Sequence, residues 1–418
     1  AVLSGVSDPG LLAELFAAAR EVKDRIYGSR MVLFAPLYVS NLCANECVYC
    51  AFRARNRDLE RRALTQEELA AEVRSLVVQG HKRILLVAGE AYPAEGLDYV
   101  LRSIETIYAT RVGNGEIRRV NVNIAPLDVD EFRRLKDARI GTYQLFQETY
   151  SREVYGRVHL AGPKRDFDWR VTVMDRAMEA GIDDVGIGVL FGLCDWRFEV
   201  LSLLQHIKHL EATRGVGPHT ISVPRLEPAC GTDLASHPPM PVSDLDFRKI
   251  VAILRLAVPY TGIILSTRES ASIRHETFAL GVSQVSAGSR TDPGGYARAA
   301  KHDDAEQFAL GDHRPLDEVI RDLAGMGFVP SLCTGCYRMG RTGKDFMDLA
   351  KPGDIRHHCE PNALSTFVEY LEDYASPGTR TAGEALVARV LAGMDPVVRA
   401  TAEELVRSVR GGRRDQYV

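Results

Sequence analysis

With 418 residues and a formal net charge of -4 spread over both signs, the chain offers no basic face for nucleic acid or for an anionic membrane surface. Hydrophobic residues make up 45% and charged residues 26%, the balance of an ordinary water-facing globular core, and no apolar run approaches the ~20 residues of a membrane span. Residues 1–10 carry no basic stretch leading into an apolar one, so no secretory signal is expected and a cytoplasmic location is the default.

In chain order, residues 8–26 form a helical lead (domain 1–30) expected to pack outside the structure that follows. Short apolar runs then predict strands at 31–39, 83–88, 119–124, 141–146, 184–190, 220–224, 262–266 and 283–287. Between them, amphipathic patterns predict helices at 65–79, 97–108, 129–136, 169–180, 198–211 and 245–256. Thr65 and Glu68 have the spacing of a capping box, and Gly80 and Gly181 suit helix ends. Eight strands, most followed by a helix, predict a (β/α)8 TIM-type barrel over 31–290. Past Gly288 comes a turn-rich stretch, 289–296, and from Leu316 the chain turns mostly helical, so 291–418 reads as a helical C-terminal domain with helices near 361–374, 383–392 and 401–410. The basic stretch 407–414 reads as a solvated tail.

The cysteines carry the chemistry. Six of the eight fall into two groups, Cys43, Cys47, Cys50 and Cys333, Cys336, Cys359, while Cys194 and Cys230 stand alone. In a reducing compartment such clusters point to metal rather than to disulfides. Cys43-Ala-Asn-Glu-Cys47-Val-Tyr-Cys50 follows the first predicted strand, so it opens onto the face where barrel enzymes do their chemistry. Three thiolates hold three irons of a [4Fe–4S] cube and leave the fourth open. In this spacing the expected occupant is S-adenosylmethionine (SAM), whose S–C5′ bond one electron cleaves to a 5′-deoxyadenosyl radical. A zinc site wants a fourth protein ligand, and none is near in sequence.

Val87-Ala-Gly-Glu90 ends the second strand and resembles the SAM amino-binding GGE segment of radical SAM enzymes, with Ala88 in place of the first glycine. Gly89 and Glu90 are therefore candidate SAM contacts, and so are Glu148 and Arg170 near other strand ends or helix starts. The second group, Cys333-Thr-Gly-Cys336 with Cys359, again has three thiols. On spacing it reads as a second cube or, with His357 or His358, as a structural zinc site.

The chain resembles the HydG family, tyrosine lyases that mature [FeFe]-hydrogenase. The resemblance runs over nearly the whole chain and rests on Phe34-Ala-Pro-Leu-Tyr-Val-Ser-Asn-Leu-Cys43, the Cys47–Cys50 spacing, Gly80-His-Lys-Arg83, Val120-Asn-Val-Asn-Ile-Ala-Pro126, Gly217-Pro-His-Thr220 and, most specifically, Cys333-Thr-Gly-Cys-Tyr-Arg-Met-Gly-Arg-Thr-Gly343 with Cys359. It implies two [4Fe–4S] clusters, SAM, and cleavage of the Cα–Cβ bond of L-tyrosine to p-cresol and dehydroglycine. Dehydroglycine is then turned into carbon monoxide and cyanide on iron at the second cluster, for assembly of the hydrogenase H-cluster. The resemblance further implies that His219 binds an additional labile iron there, a role imidazole suits. Arg290, after the last strand, is a candidate for the tyrosine carboxylate. A one-electron donor such as ferredoxin or flavodoxin and the other hydrogenase maturation proteins are the implied partners. Two other readings stand beside it. One is the thiazole-forming tyrosine lyase, ThiH-like, which shares the barrel and first motif but lacks the C-terminal extension. The other is a non-catalytic iron–sulfur or zinc scaffold for assembly.

Overall fold

A computed structural model describes residues 2–298 and 306–418. Eight parallel strands close on themselves: β1 (Arg30–Ser40), β2 (Arg83–Ala88), β3 (Arg119–Asn123), β4 (Tyr143–Gln144), β5 (Val185–Gly188), β6 (Thr220–Ser222), β7 (Gly262–Leu265) and β8 (Gln284–Ser286). Each pairs with its sequence neighbour, and β8 returns to β1 with Val32 opposite Gln284. This is the expected (β/α)8 barrel, and all eight predicted strands are present, though β4 is regular over only two residues. A fully buried run such as Arg83–Ala88 suits a strand with the barrel lumen on one side and helices on the other. The lead helix Pro9–Tyr27, capped by Asp8, lays Leu15 and Ala19 against Ala252 of the outer helix Asp244–Ala257. The capping box read at Thr65 and Glu68 is formed. Among the described residues, no helix is long and apolar enough to cross a membrane.

The C-terminal part departs from the purely helical expectation. A ninth strand, β9 (Val329–Ser331), pairs parallel with residues 30–32 of β1, at the N-terminal floor of the barrel. Helix Arg356–Asp373 starts five residues before the predicted Pro361, which lies within it. It docks on the floor through a buried ion cluster. Arg118 beside β3 forks onto Glu369 (Nη1–Oε2 3.1 Å, Nη2–Oε1 2.6 Å), and Lys82 approaches the same carboxylate at 3.4 Å. Helices Pro377–Gly393 and Pro396–Arg410 pack around it. The basic end is not a free tail: Arg414 donates to both carboxylate oxygens of Asp373 (2.7 and 2.6 Å), and residues 414–418 lie half-buried.

Candidate active site

β1 ends at Ser40 and hands the chain to a loop that holds Cys43, Cys47 and Cys50. The loop is braced from within. Asn41 donates to Glu60 O (2.7 Å) and accepts from Arg62 N (2.7 Å), while Glu46 accepts from Arg55 N (2.9 Å) and pairs with Arg53 (2.7 Å). Gly89 closes it from β2. Its N–H donates to Ser40 O at 2.9 Å, and a Cβ there would lie 2.2 Å from Leu42 O, so only glycine permits the approach. Ala88 stands one residue outside that contact, which is why the first glycine of the pattern can be replaced.

All three cysteines line one chamber at the C-terminal ends of the strands, enclosing about 1410 Å3 counting its open mouth. The donor set suits a cluster. Three soft thiols face the chamber, and Gln307 Nε2 donates to the Cys50 sulfur at 3.7 Å. Burial pushes the Cys50 thiol up to about 11 and Cys47 higher still, so a positively charged guest is what would favour their thiolates. Within the motif, Tyr49 also faces the chamber and is held by His159 (Oη–Nε2 2.8 Å).

The predicted SAM residues come together, with two that sequence reasoning missed. Glu90, Glu148 and Arg170 meet Lys164 and Asn45 along one wall. Arg170 binds Glu90 (Nη1–Oε1 2.9 Å) and Phe146 O (2.8 Å) and lies 3.5 Å from Glu148; Lys164 binds Glu148 at 2.7 Å. Asn45, from the cysteine motif, donates to Glu90 Oε2 (2.8 Å) and accepts from Lys164 N (2.8 Å), tying the wall to the cluster loop. Burial pushes the Glu90 carboxyl up, but Arg170 and Lys164 outweigh it and hold the group below its ordinary range. Lys164 and Arg170 are shifted upward because their two carboxylates outweigh burial. Glu148 sits at φ 70°, a strained left-handed conformation for a residue with a side chain, of a kind that gathers at functional sites. Two acids against two bases leave the wall neutral overall yet dense in donors and acceptors, the surface a zwitterionic amino-acid moiety binds.

Arg290 does not line the chamber. Its guanidinium turns to Ser289 O (3.2 Å) and its backbone N–H to Tyr296 Oη (3.1 Å). The arginine that faces the chamber from the β7 side is Arg268, which no sequence motif marked.

The second cysteine group lies at the opposite, N-terminal end of the barrel. Cys333 follows β9, Cys336 sits in the short helix Gly335–Arg338, and buried Cys359 is in the first turn of Arg356–Asp373. Arg83 of β2 donates to Cys333 O at 2.7 Å, and Gly335 N donates to the Cys333 sulfur at 3.2 Å. The Cys359 thiol bonds to Cys336 and, with Arg30 and Arg341, favours the Cys336 thiolate. The same three sulfurs, Cys359 foremost, help outweigh burial and hold Arg30 charged. Of the histidines offered for zinc, His358 faces Arg341 (3.4 Å) and His357 lines an open groove with Arg356 and Arg389. Among the described residues, no three His, Cys, Asp or Glu side chains converge as they would around one ion.

His219 also sits on this floor, just before β6. It packs on Phe346 (4.5 Å between ring centres), and its buried Nδ1 has no hydrogen-bond partner, with Asp184 Oδ1 3.5 Å away. An acid facing Nδ1 leaves Nε2 as the ligating nitrogen, the usual arrangement for a metal-bound histidine. Arg30 and Arg83, which adjoin the cysteines, also act on His219 by charge.

A parallel barrel whose first strand feeds a three-cysteine loop facing a deep chamber defines a radical SAM enzyme, and the Radical SAM superfamily model matches residues 37–202. The model of the Biotin and Thiamin Synthesis associated domain matches residues 222–329. The 2-iminoacetate synthase of Escherichia coli is 34% identical over 325 residues, covering 77% of this chain and 82% of that one. A crystal structure of HydG, a maturase of the [FeFe]-hydrogenase, is 50% identical and covers 100% of this chain and 90% of its own, with a TM-score of 0.96. HydG from Carboxydothermus hydrogenoformans is 44% identical over 97% of this chain and 89% of its own, with a TM-score of 0.84. The chain belongs to the HydG family within the radical SAM superfamily, and that membership carries a [4Fe–4S] cluster and SAM.

Proposed function

We propose that this enzyme cleaves the Cα–Cβ bond of L-tyrosine to p-cresol and dehydroglycine, and that the dehydroglycine becomes carbon monoxide and cyanide on iron for [FeFe]-hydrogenase H-cluster assembly. The observation that carries this reading is the placement of two three-thiol groups at opposite ends of one barrel. The similarity to HydG spans the second group, whereas the two domain models end at residues 202 and 329, before Cys333. That span favours the HydG reading over a thiazole-forming lyase, and a reactive barrel chamber favours it over a passive scaffold.

When bound, the cluster at Cys43, Cys47 and Cys50 together with SAM supplies a carbon radical that abstracts hydrogen. The chain's own residues do the rest. Gly89 and Asn45 hold the cysteine loop, and Glu90, Glu148, Lys164 and Arg170 orient the amino-acid end of SAM. The apolar chamber walls, among them Phe34, Phe52, Leu85 and Ile264, keep water from the radical. Below them Asn123, Gln144, Ser222 and Ser286 line the lumen and give a small polar fragment hydrogen bonds inside the barrel. Cys333, Cys336 and Cys359 would hold the second cluster, and His219 the additional iron.

The test is product analysis under anaerobic turnover with SAM, tyrosine and a ferredoxin or flavodoxin reductant. The expected result is p-cresol together with carbon monoxide, and the loss of both in Cys47→Ala. SAM cleavage that persists in Cys47→Ala would overturn the site, and p-cresol without carbon monoxide would point to the thiazole-forming class.

A further inference from the structure

Arg61 follows the cysteine motif, and Asn41 sets its direction. The Asn41 side chain donates to Glu60 O and accepts from Arg62 N, both at 2.7 Å, and so fixes the residues on either side of Arg61. The guanidinium turns into the cysteine loop and donates to four backbone carbonyls. Nη1 reaches Asn41 O (2.9 Å) and Phe52 O (2.8 Å), while Nη2 reaches Arg53 O and, at 3.2 Å, Asn56 O. Asn41 precedes Cys43 and Phe52 follows Cys50, so one planar fork closes both flanks of the motif. The charge of this fork is unanswered. Arg53 pairs with Glu46 (2.7 Å) and Arg62 with Glu68 (2.7 Å), but Arg61 forms no ion pair with any described residue. Burial lowers the Arg61 guanidinium, and Cys43 and Cys50, ahead of Glu46, act against that shift. Glu46 is itself held by Arg53 and by Arg55 N (2.9 Å), so the charge of Arg61 is left to the two sulfurs.

Resting on the placement of the first cluster at Cys43, Cys47 and Cys50, we propose that Arg61 is a positioning residue for that cluster. Its fork holds the cysteine loop in ligating shape before iron arrives, and its unpaired charge makes the bound cube easier to reduce. An added electron makes a three-thiolate cube more negative, and a fixed cation beside two of its sulfurs stabilises that state over the oxidised one. The electron comes from the ferredoxin or flavodoxin donor, and in that step no covalent bond forms or breaks and no proton moves. Arg61 is half-buried, so water screens part of its charge and the effect on reduction is roughly tenfold, about 59 mV for one electron.

Two measurements on the full chain separate the fork from the charge. In the metal-free protein, hydrogen exchange reads the fork. The amides of Cys50, Ala54 and Asn56 bond within the loop at 3.1, 2.8 and 3.0 Å and should be protected in wild type. Arg61→Gln and Arg61→Lys should both exchange them roughly tenfold faster, since neither side chain spans four carbonyls. In the reconstituted protein, an anaerobic redox titration followed by electron paramagnetic resonance reads the charge, and the first cluster's signal is the one that SAM shifts. Arg61→Gln should lower its midpoint by about 59 mV, and Arg61→Lys, which keeps the charge, should stay within roughly a third of that. If Arg61→Gln holds no cube, Arg61→His takes its place. Its midpoint should fall by about 59 mV relative to wild type as pH rises from about 6 to about 9 and the imidazole loses its charge. Exchange unchanged in both variants overturns the fork. A Gln midpoint equal to wild type, a Lys midpoint as low as that of Gln, or a His midpoint that tracks wild type overturns the charge role. A SAM-shifted signal that survives in Cys47→Ala overturns the placement of the cluster itself.

Discussion

Arg170→Met removes one of the two cations that reach both carboxylates of the SAM-facing wall, the one bound directly to Glu90. In wild type its side chain is 2% exposed and binds Glu90 at 2.9 Å, with Glu148 at 3.5 Å. Methionine fills much of the volume but leaves two buried acids against Lys164 alone, so the wall passes from neutral to a net negative charge. Stripping one partner from a buried pair costs about 3–5 kcal/mol. Lys164 remains 2.7 Å from Glu148 and 3.9 Å from Glu90, which places the cost near the lower bound, about 3 kcal/mol. The pH dependence has a definite sign. Glu90 is held below its ordinary range in wild type, so its contribution to stability is present above the unfolded carboxylate range and fades as pH falls. Without Arg170 burial dominates and the carboxyl is pushed up, so the variant's deficit grows as pH rises and shrinks as pH falls toward about 5. Anaerobic urea unfolding followed by tryptophan fluorescence reads this directly, because Trp169 and Trp196 both lie on barrel helices. A deficit below about 1 kcal/mol, or one that does not shrink as pH falls from neutral toward about 5, refutes the reasoning.

Two further substitutions separate the ends of the barrel. Cys333→Ser should leave p-cresol formation intact while carbon monoxide falls sharply, as measured by gas analysis of the same reaction; equal loss of both would assign the extension to folding alone. His219→Ala should keep both cubes and lose one iron per chain, with tyrosine cleavage preserved. Unchanged iron with stability lowered by roughly 1–3 kcal/mol would instead return His219 to a packing role against Phe346.

The barrel was legible because short strand-like segments alternate with amphipathic helices along the chain, and the cysteine loop because its spacing is local. Glu90, Glu148 and Arg170 could be placed near the site from their positions at strand ends. Lys164 and Asn45 could not, because their partners come from distant segments and no spacing records the meeting. Arg290 and Arg268 both follow barrel strands, and only the loop geometry turns one away and the other inward. The strand β9 is three residues long and contains Pro330, too short for a period-two pattern to register. The basic terminus looked solvated because Asp373, 41 residues away, gave no local sign that it would capture Arg414.

The central claim is that this one chain carries two clusters. Iron analysis with Mössbauer spectroscopy on the anaerobically reconstituted protein tests it most directly. The account predicts about eight cluster irons in wild type and about four in either Cys47→Ala or Cys333→Ser, each variant losing a different cube. About four irons in wild type, with zinc or no metal at Cys333, Cys336 and Cys359, would contradict it.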